Sequence, residues 1–184
     1  MGGWSSRWSG PWTLRHDRIT ARFAYVRQPH PLTSNTPRVV PPPVLFLAAL
    51  ALGLGVQSLE PRALVRHAAA GHAAGGLLIA LGLGLSGWMV RQFRRSGTPV
   101  SPLRPTRRLV VSGPYRFSRN PDYIGQALIY TGIALVLNSL WVLVALVPAL
   151  LLVRYAVIAR EERYLQSLFG AQYAEYCRRV RRWL

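Results

Sequence analysis

The chain has 184 residues, about half of them hydrophobic, yet it carries 23 basic residues against six acidic ones, a formal net charge of +17. The basic residues cluster and leave long charge-free stretches, a pattern that excludes a soluble globular domain and makes the anionic membrane surface a simpler partner than nucleic acid. The single cysteine, Cys177, excludes an internal disulfide, and the length fits one domain built as a small helical bundle.

Residues 1–40 are rich in Arg, Pro, Ser, Thr and Trp and have no apolar period, so they read as a disordered basic tail. Trp4, Trp8 and Trp12 recur every four residues, as an interfacial helix would place them, but Gly2, Gly3, Gly10 and Pro11 interrupt such a helix. No short apolar segment there ends in a cleavage site, which argues against a removable signal. The remaining residues, 41–184, form the membrane domain. Its first span is predicted from about Val44 to Leu59, extendable back through Pro41–Pro43, and its second from about Ala68 to Val90. The apolar stretch from Ile124 to Ala159 is too long for one crossing, which needs about 20 residues. Asn138 and Ser139 break it at a natural turn, giving a third span over 122–137 and a fourth over 140–159 in a tight hairpin. Pro148 is expected to kink the fourth. The predicted fold is therefore an all-α integral membrane bundle of about four transmembrane helices with a C-terminal cytoplasmic helix.

Orientation follows from the arginines. All the basic residues are Arg, which suggests GC-rich coding and a bacterial inner membrane. Residues 91–121 hold Arg91, Arg94, Arg95, Arg104, Arg107, Arg108, Arg116 and Arg119 and no acid; the C-terminal region adds Arg160, Arg163, Arg178, Arg179, Arg181 and Arg182. The opposite side has Arg62, Arg66 and Glu60, so both termini are expected in the cytoplasm.

Two motifs then share the cytoplasmic face. The first is Gly113-Pro-Tyr-Arg-Phe-Ser-Arg-Asn-Pro-Asp-Tyr-Ile-Gly125, preceded by Leu109-Val110; the second is the acidic pair Glu161-Glu162, followed by Phe169-Gly170 and Tyr173-Ala-Glu-Tyr176. In this order the motifs resemble the isoprenylcysteine carboxyl methyltransferase family and its phospholipid methyltransferase relatives, whose pattern is Arg-His-Pro-x-Tyr-x-Gly, an apolar hairpin, then Glu-Glu. The likeness is close over the C-terminal half and extends to the first two spans in layout. It implies an integral membrane enzyme that moves a methyl group from S-adenosyl-L-methionine to a lipophilic acceptor bearing a carboxylate, thiol or amine. It also implies a cofactor site within about 98–125 and 154–176, formed by Leu109, Val110, Gly113, Pro114, Tyr115, Arg119, Asn120, Pro121, Tyr123, Gly125, Glu161 and Glu162. Arg119, Asn120, Glu161 and Glu162 would be its catalytic members. Asn120 stands where the pattern has His; it can hydrogen-bond but cannot act as a base near neutral pH.

The chemistry is consistent with these residue types. Methyl transfer from a sulfonium asks the protein chiefly to position the partners and exclude water. Glu161 or Glu162 suits an ammonium, Arg119 suits a carboxylate bidentately, and the faces of Tyr115 or Tyr123 suit a sulfonium at about 0.5–2 kcal/mol. Gly113 and Pro114 shape a turn whose amides approach the cofactor. Adjacent helical residues point about 100° apart, so one acid is expected to face the cofactor while the other pairs with an arginine. Phe169-Gly170 is expected to bend the chain so that Tyr173 and Tyr176 pack beneath a covering helix. Gly53-Leu-Gly55 and Gly82-Leu-Gly84 read as close helix packing, His72 as structural or interfacial, and Cys177 as incidental. No His, Cys or carboxylate cluster has metal-ligand spacing, so no metal is expected. A different reading is a non-catalytic membrane protein whose basic face binds anionic lipid or a partner, with Asn120 as its main support.

Overall fold

The computed structural model describes residues 41–95 and 109–183. The expected N-terminal tail with its tryptophans, Arg104, Arg107 and Arg108, the first part of the expected cofactor segment, and Leu184 lie outside the described residues. Helix α1 spans Pro42–Leu59, α2 Ala68–Arg95, α3 Pro121–Val136 and α4 Leu140–Leu152. A π-helical stretch, Val153–Ile158, continues α4 directly into α5, Ala159–Phe169, and α6 follows at Ala171–Arg179. A 3-10 turn at Gly113–Arg116 precedes α3, and no strand occurs among the described residues.

Helix starts follow local chemistry. Pro42 opens α1 and Pro121 opens α3, positions where a missing N–H costs nothing. Ser139 Oγ accepts the Val142 N–H and caps α4. The predicted turn falls at Asn138, which takes φ 48, a left-handed conformation that Asn tolerates better than most residues. Its side chain accepts the Leu64 and Val65 N–H groups at 3.0 and 2.8 Å, so the turn is tied to the loop between α1 and α2. Trp141 adds a 2.7 Å bond from its indole N–H to the Glu60 carbonyl.

The four long helices pack as two close pairs joined by the α3–α4 hairpin. A methyl group on Gly75 would sit 2.6 Å from the Gly132 carbonyl oxygen, and one on Gly132 equally close to that of Gly75. Gly82 meets the Gly125 carbonyl in the same way, and Gly53 approaches the Val142 backbone at 2.7 Å. These backbones touch because no side chain intervenes, the usual solution where lipid offers no hydrophobic drive between helices. Gly53 and Gly82 thus pack as expected, whereas Gly55 and Gly84 meet nothing within 4 Å. Phe46, Tyr130, Ala134, Val142, Leu146 and Val153 fill the shared core, with the Phe46 and Tyr130 rings 6.0 Å apart. Leu47, Leu52, Leu77, Leu83, Val147 and Leu151 remain exposed on the outside, as fits an integral membrane protein.

Among the described residues, three helices are long and apolar enough to cross a membrane: Pro42–Leu59, Ala68–Arg95 and the continuous rod Leu140–Phe169. With 16 residues, α3 is about 24 Å long, short of a hydrocarbon core of about 30 Å. Two boundaries differ from expectation. Helix α2 continues past Val90 to Arg95, which carries Phe93 to the level of the 113–123 motif. The fourth helix contains Pro148 and changes its winding at Val153–Ile158, where π-helical hydrogen bonding sets the direction in which Glu161 and Glu162 emerge.

Candidate functional site

The site forms where the 113–123 segment, the start of α5, α6 and the C-terminal residues meet. Gly113 begins its construction with φ +64, a conformation open to glycine, and turns the chain into the 3-10 segment. The buried Pro114 offers its carbonyl to the Phe117 and Ser118 N–H groups. Tyr115 then packs edge-on against Phe93 of α2, centroids 5.6 Å apart. On the other side, Gly170 takes φ +50 and reverses the chain between α5 and α6, the bend expected from Phe169-Gly170. Tyr173 and Tyr176 of α6 are buried with Phe169, and the Tyr176 hydroxyl donates to the Tyr115 carbonyl at 2.7 Å. Burial pushes the Tyr115 hydroxyl well above its ordinary titration range, with the Glu161 charge adding to it, and burial raises Tyr176 likewise.

The hairpin returns the two motifs to one place. The Tyr123 hydroxyl donates to Glu161 Oε2 at 3.1 Å, across 38 residues of sequence. Arg119 Nη1 lies 3.1 Å from Glu162 Oε1. The acids divide the work as their angular separation requires: Glu161 stays exposed on the tyrosine side, and Glu162 turns to the arginines. A cavity of about 80 Å³ opens between them, lined by Tyr115, Arg119, Asn120, Glu161 and Glu162 together with Leu109 and Val110. Of the other expected site residues, Tyr123 reaches it through Glu161, while Gly113, Pro114 and Pro121 shape its backbone. Gly125 is placed elsewhere, in the α2–α3 crossing, where a methyl group would lie 3.0 Å from Ser86 Oγ.

Asn120 is buried, and its side-chain amide donates to the Arg182 carbonyl at 2.9 Å. Its backbone N–H goes to Ser118 Oγ, and the Arg119 N–H goes to the Arg181 carbonyl at 3.0 Å. These bonds dock the segment after α6 onto the motif. Arg182 then reaches Glu162 with both arms of its guanidinium, Nε to Oε1 at 2.9 Å and Nη2 to Oε2 at 2.7 Å. That pairing raises Arg182 above its already high ordinary pKa. The sequence motifs missed Arg182, which lies in a run of arginines with nothing to single it out. They also missed Cys177, whose sulfur receives Arg119 Nη1 at 2.8 Å.

Two guanidinia therefore share Glu162, while Glu161 meets Tyr123, at a pocket walled by tyrosines. The donor set suits a small zwitterion: among the described residues Glu161 bonds to Tyr123, and the buried Arg119 Nε has no partner. An orphaned N–H on a charged group marks a place where an anionic acceptor would be favoured. The cavity is smaller than the roughly 300–1,000 Å³ of typical cofactor pockets, so admitting a whole nucleoside requires its walls to part. Among the described residues no group of three His, Cys, Asp or Glu is placed to hold a metal ion.

A second, apolar groove of about 610 Å³ runs beside α3 and α4. Leu78, Ile124, Leu128, Leu146 and Leu150 line it, and Arg154 and Trp183 stand in its wall.

Comparison with known proteins gives three findings. A family model described as phospholipid methyltransferase matches residues 70–172. The cobalt-zinc-cadmium resistance protein CzcN of Cupriavidus metallidurans is 41% identical over 77 residues, 42% of this chain and 35% of that protein, so the match spans about a third of the relative's length. An uncharacterized protein of Haemophilus influenzae is 37% identical over 62 residues, 34% of this chain and 98% of that protein. No solved structure matches.

Proposed function

Since this chain belongs to the phospholipid methyltransferase family, we propose that it is an S-adenosyl-L-methionine-dependent methyltransferase acting at the membrane on a lipophilic acceptor. The observation that carries this reading is the return of Tyr123–Glu161 and Arg119–Glu162 to one cavity across the apolar hairpin. The cofactor, when bound, supplies an activated methyl group on a positive sulfur. Glu161 holds the ammonium of the cofactor's amino-acid end, and Arg119 holds its carboxylate through the N–H that now lacks a partner. The ring of Tyr115, which lines the cavity, presents an electron-rich face to positive charge. The covering α6, with Tyr173 and Tyr176 beneath it, excludes water from the reacting atoms.

Asn120 serves differently from a base. Its amide is committed to the Arg182 carbonyl, so its part is to hold the cavity wall. The acceptor enters from the bilayer along the apolar groove, which begins one helical turn beyond Asn120 and ends at Trp183, the neighbour of Arg182. Its reacting group, a carboxylate, a thiol or an amine, lies outside the groove's own chemistry.

The arrangement also fits four crossings, with α3 as the short fourth span beside α2, and with both ends of the chain and the cavity on the cytoplasmic side of a bacterial inner membrane. Arg91, Arg94, Arg95, Arg116 and Arg119 lie at the cavity end, while Glu60 and Arg62 pair with each other at the far end. Calorimetric titration of the detergent-solubilised protein with S-adenosylmethionine or S-adenosylhomocysteine tests the reading. Micromolar-range binding is expected, and no heat at millimolar ligand rejects it.

A further inference from the structure

The residues after α6 supply a group that neither motif contains. We infer that Arg182 is a positioning residue: by occupying both oxygens of Glu162, it keeps Arg119 available for the cofactor's carboxylate. The inference rests on the cofactor reading above and adds a residue to it.

A guanidinium fork takes one lone pair on each oxygen of a carboxylate and leaves a second arginine only a side-on approach to the same acid. Arg182 takes that place on Glu162, at 2.9 and 2.7 Å. Arg119 is left with a single atom near the same carboxylate, Nη1 at 3.1 Å from Oε1, and shares that atom with Cys177. Its Nε is buried without a partner among the described residues. Arg119 is therefore held beside an acid it cannot fully engage. Remove the Arg182 fork, and Glu162 has two open oxygens within reach of an arginine with spare donors. Arg119 then pairs bidentately with Glu162 and is withdrawn from the cavity, although every group assigned to the cofactor is still present.

The segment that carries Arg182 does not depend on this side chain for its place. The Arg119 N–H to Arg181 carbonyl bond and the Asn120 amide to Arg182 carbonyl bond are made by the backbone of the segment, and Trp183 packs against the core of the bundle. Truncating the guanidinium alone leaves those anchors in place.

The test uses Arg182→Gln alone, the double variant Arg182→Gln with Glu162→Gln, and Arg182→Lys, all in the full chain in detergent. Affinity for S-adenosylhomocysteine is expected to fall at least about tenfold in the single variant. It should return to within about threefold of the parent in the double variant, which has no carboxylate left to capture Arg119. Lysine, a single point charge in place of a fork, should fall between the two. A structural role for Arg182 gives no such rescue: equal weakness in the single and double variants overturns the inference, as does undiminished affinity in Arg182→Gln. A second readout needs no cofactor. Cys177 is the chain's single thiol and touches Arg119, so its alkylation rate should shift in Arg182→Gln and return in the double variant. If the parent protein binds no S-adenosylhomocysteine, the cofactor reading fails, and the thiol rate alone decides the arginine exchange. A rate unchanged across the variants refutes the exchange.

Discussion

Replacing Glu161 by Gln removes one charge and almost nothing else. The amide oxygen of Gln can still accept the Tyr123 hydroxyl, now 3.1 Å from Oε2, so the packing around α3 and α5 has no reason to change. What is lost is a charge-assisted hydrogen bond to the cofactor's ammonium, about 1.5–3 kcal/mol, or roughly 10–150-fold in affinity. Glu162→Gln makes a contrasting control. It breaks the Arg182 fork and the Arg119 contact, but Arg119 keeps its place at the cavity and no carboxylate competes for it. The Arg182 side chain is 37% exposed, so screening discounts that ion pair toward the surface range of about 0.2–1 kcal/mol in fold stability. Its effect on cofactor affinity should stay below about fivefold. Titration calorimetry with S-adenosylhomocysteine, run beside thermal unfolding in the same detergent, separates the two quantities. Equal losses of affinity for the two variants, or a larger loss for Glu162→Gln, would refute the division of labour between the acids.

Other consequences are open to measurement. In the α2–α3 crossing, Gly132→Val should destabilise the bundle by about 1–3 kcal/mol or more, because its Cβ would meet the Gly75 carbonyl at 2.6 Å; Gly84→Ala, with nothing within 4 Å, should leave the unfolding midpoint in detergent unchanged. Asn120→Ala should cost about 1–2 kcal/mol by leaving the Arg182 carbonyl short of a donor, and hydrogen exchange should quicken at residues 181–183; unchanged protection there would free Asn120 from the docking role. In a background with Cys177→Ser, cysteines at the exposed positions Ala63 and Ala171 should label from opposite sides of the membrane, whereas labelling from one side contradicts four crossings. Gly170→Ala forces an L side chain into φ +50 and should lower stability by about 1–2 kcal/mol, visible as a lower unfolding midpoint.

Much of this protein is written locally. Charge-free runs of about 20 residues declare the helices because lipid tolerates no unsatisfied backbone, and Asn138-Ser139 declares the turn because Asn accepts a left-handed conformation and Ser caps the helix that follows. Gly170 with its positive φ follows from the same short-range rules, whereas packing decided that Gly53 and Gly82, and not Gly55 and Gly84, meet a neighbouring backbone. That adjacent acids must diverge by about 100° is also a local fact, and it foretold that Glu161 and Glu162 would have different partners. Which partners they took was decided by the tertiary structure. Arg182 lies 20 residues from Glu162 along the chain and 62 from Asn120, within a run of arginines that look alike in sequence, and it meets both because the segment after α6 docks on the 118–120 backbone. The same docking commits the amide of Asn120 to a carbonyl, and the α2–α3 crossing claims Gly125 for packing. Helix formation in lipid depends on each segment's own composition, but the choice among competing ion pairs depends on the positions of groups from distant segments, and those are set once the bundle has closed.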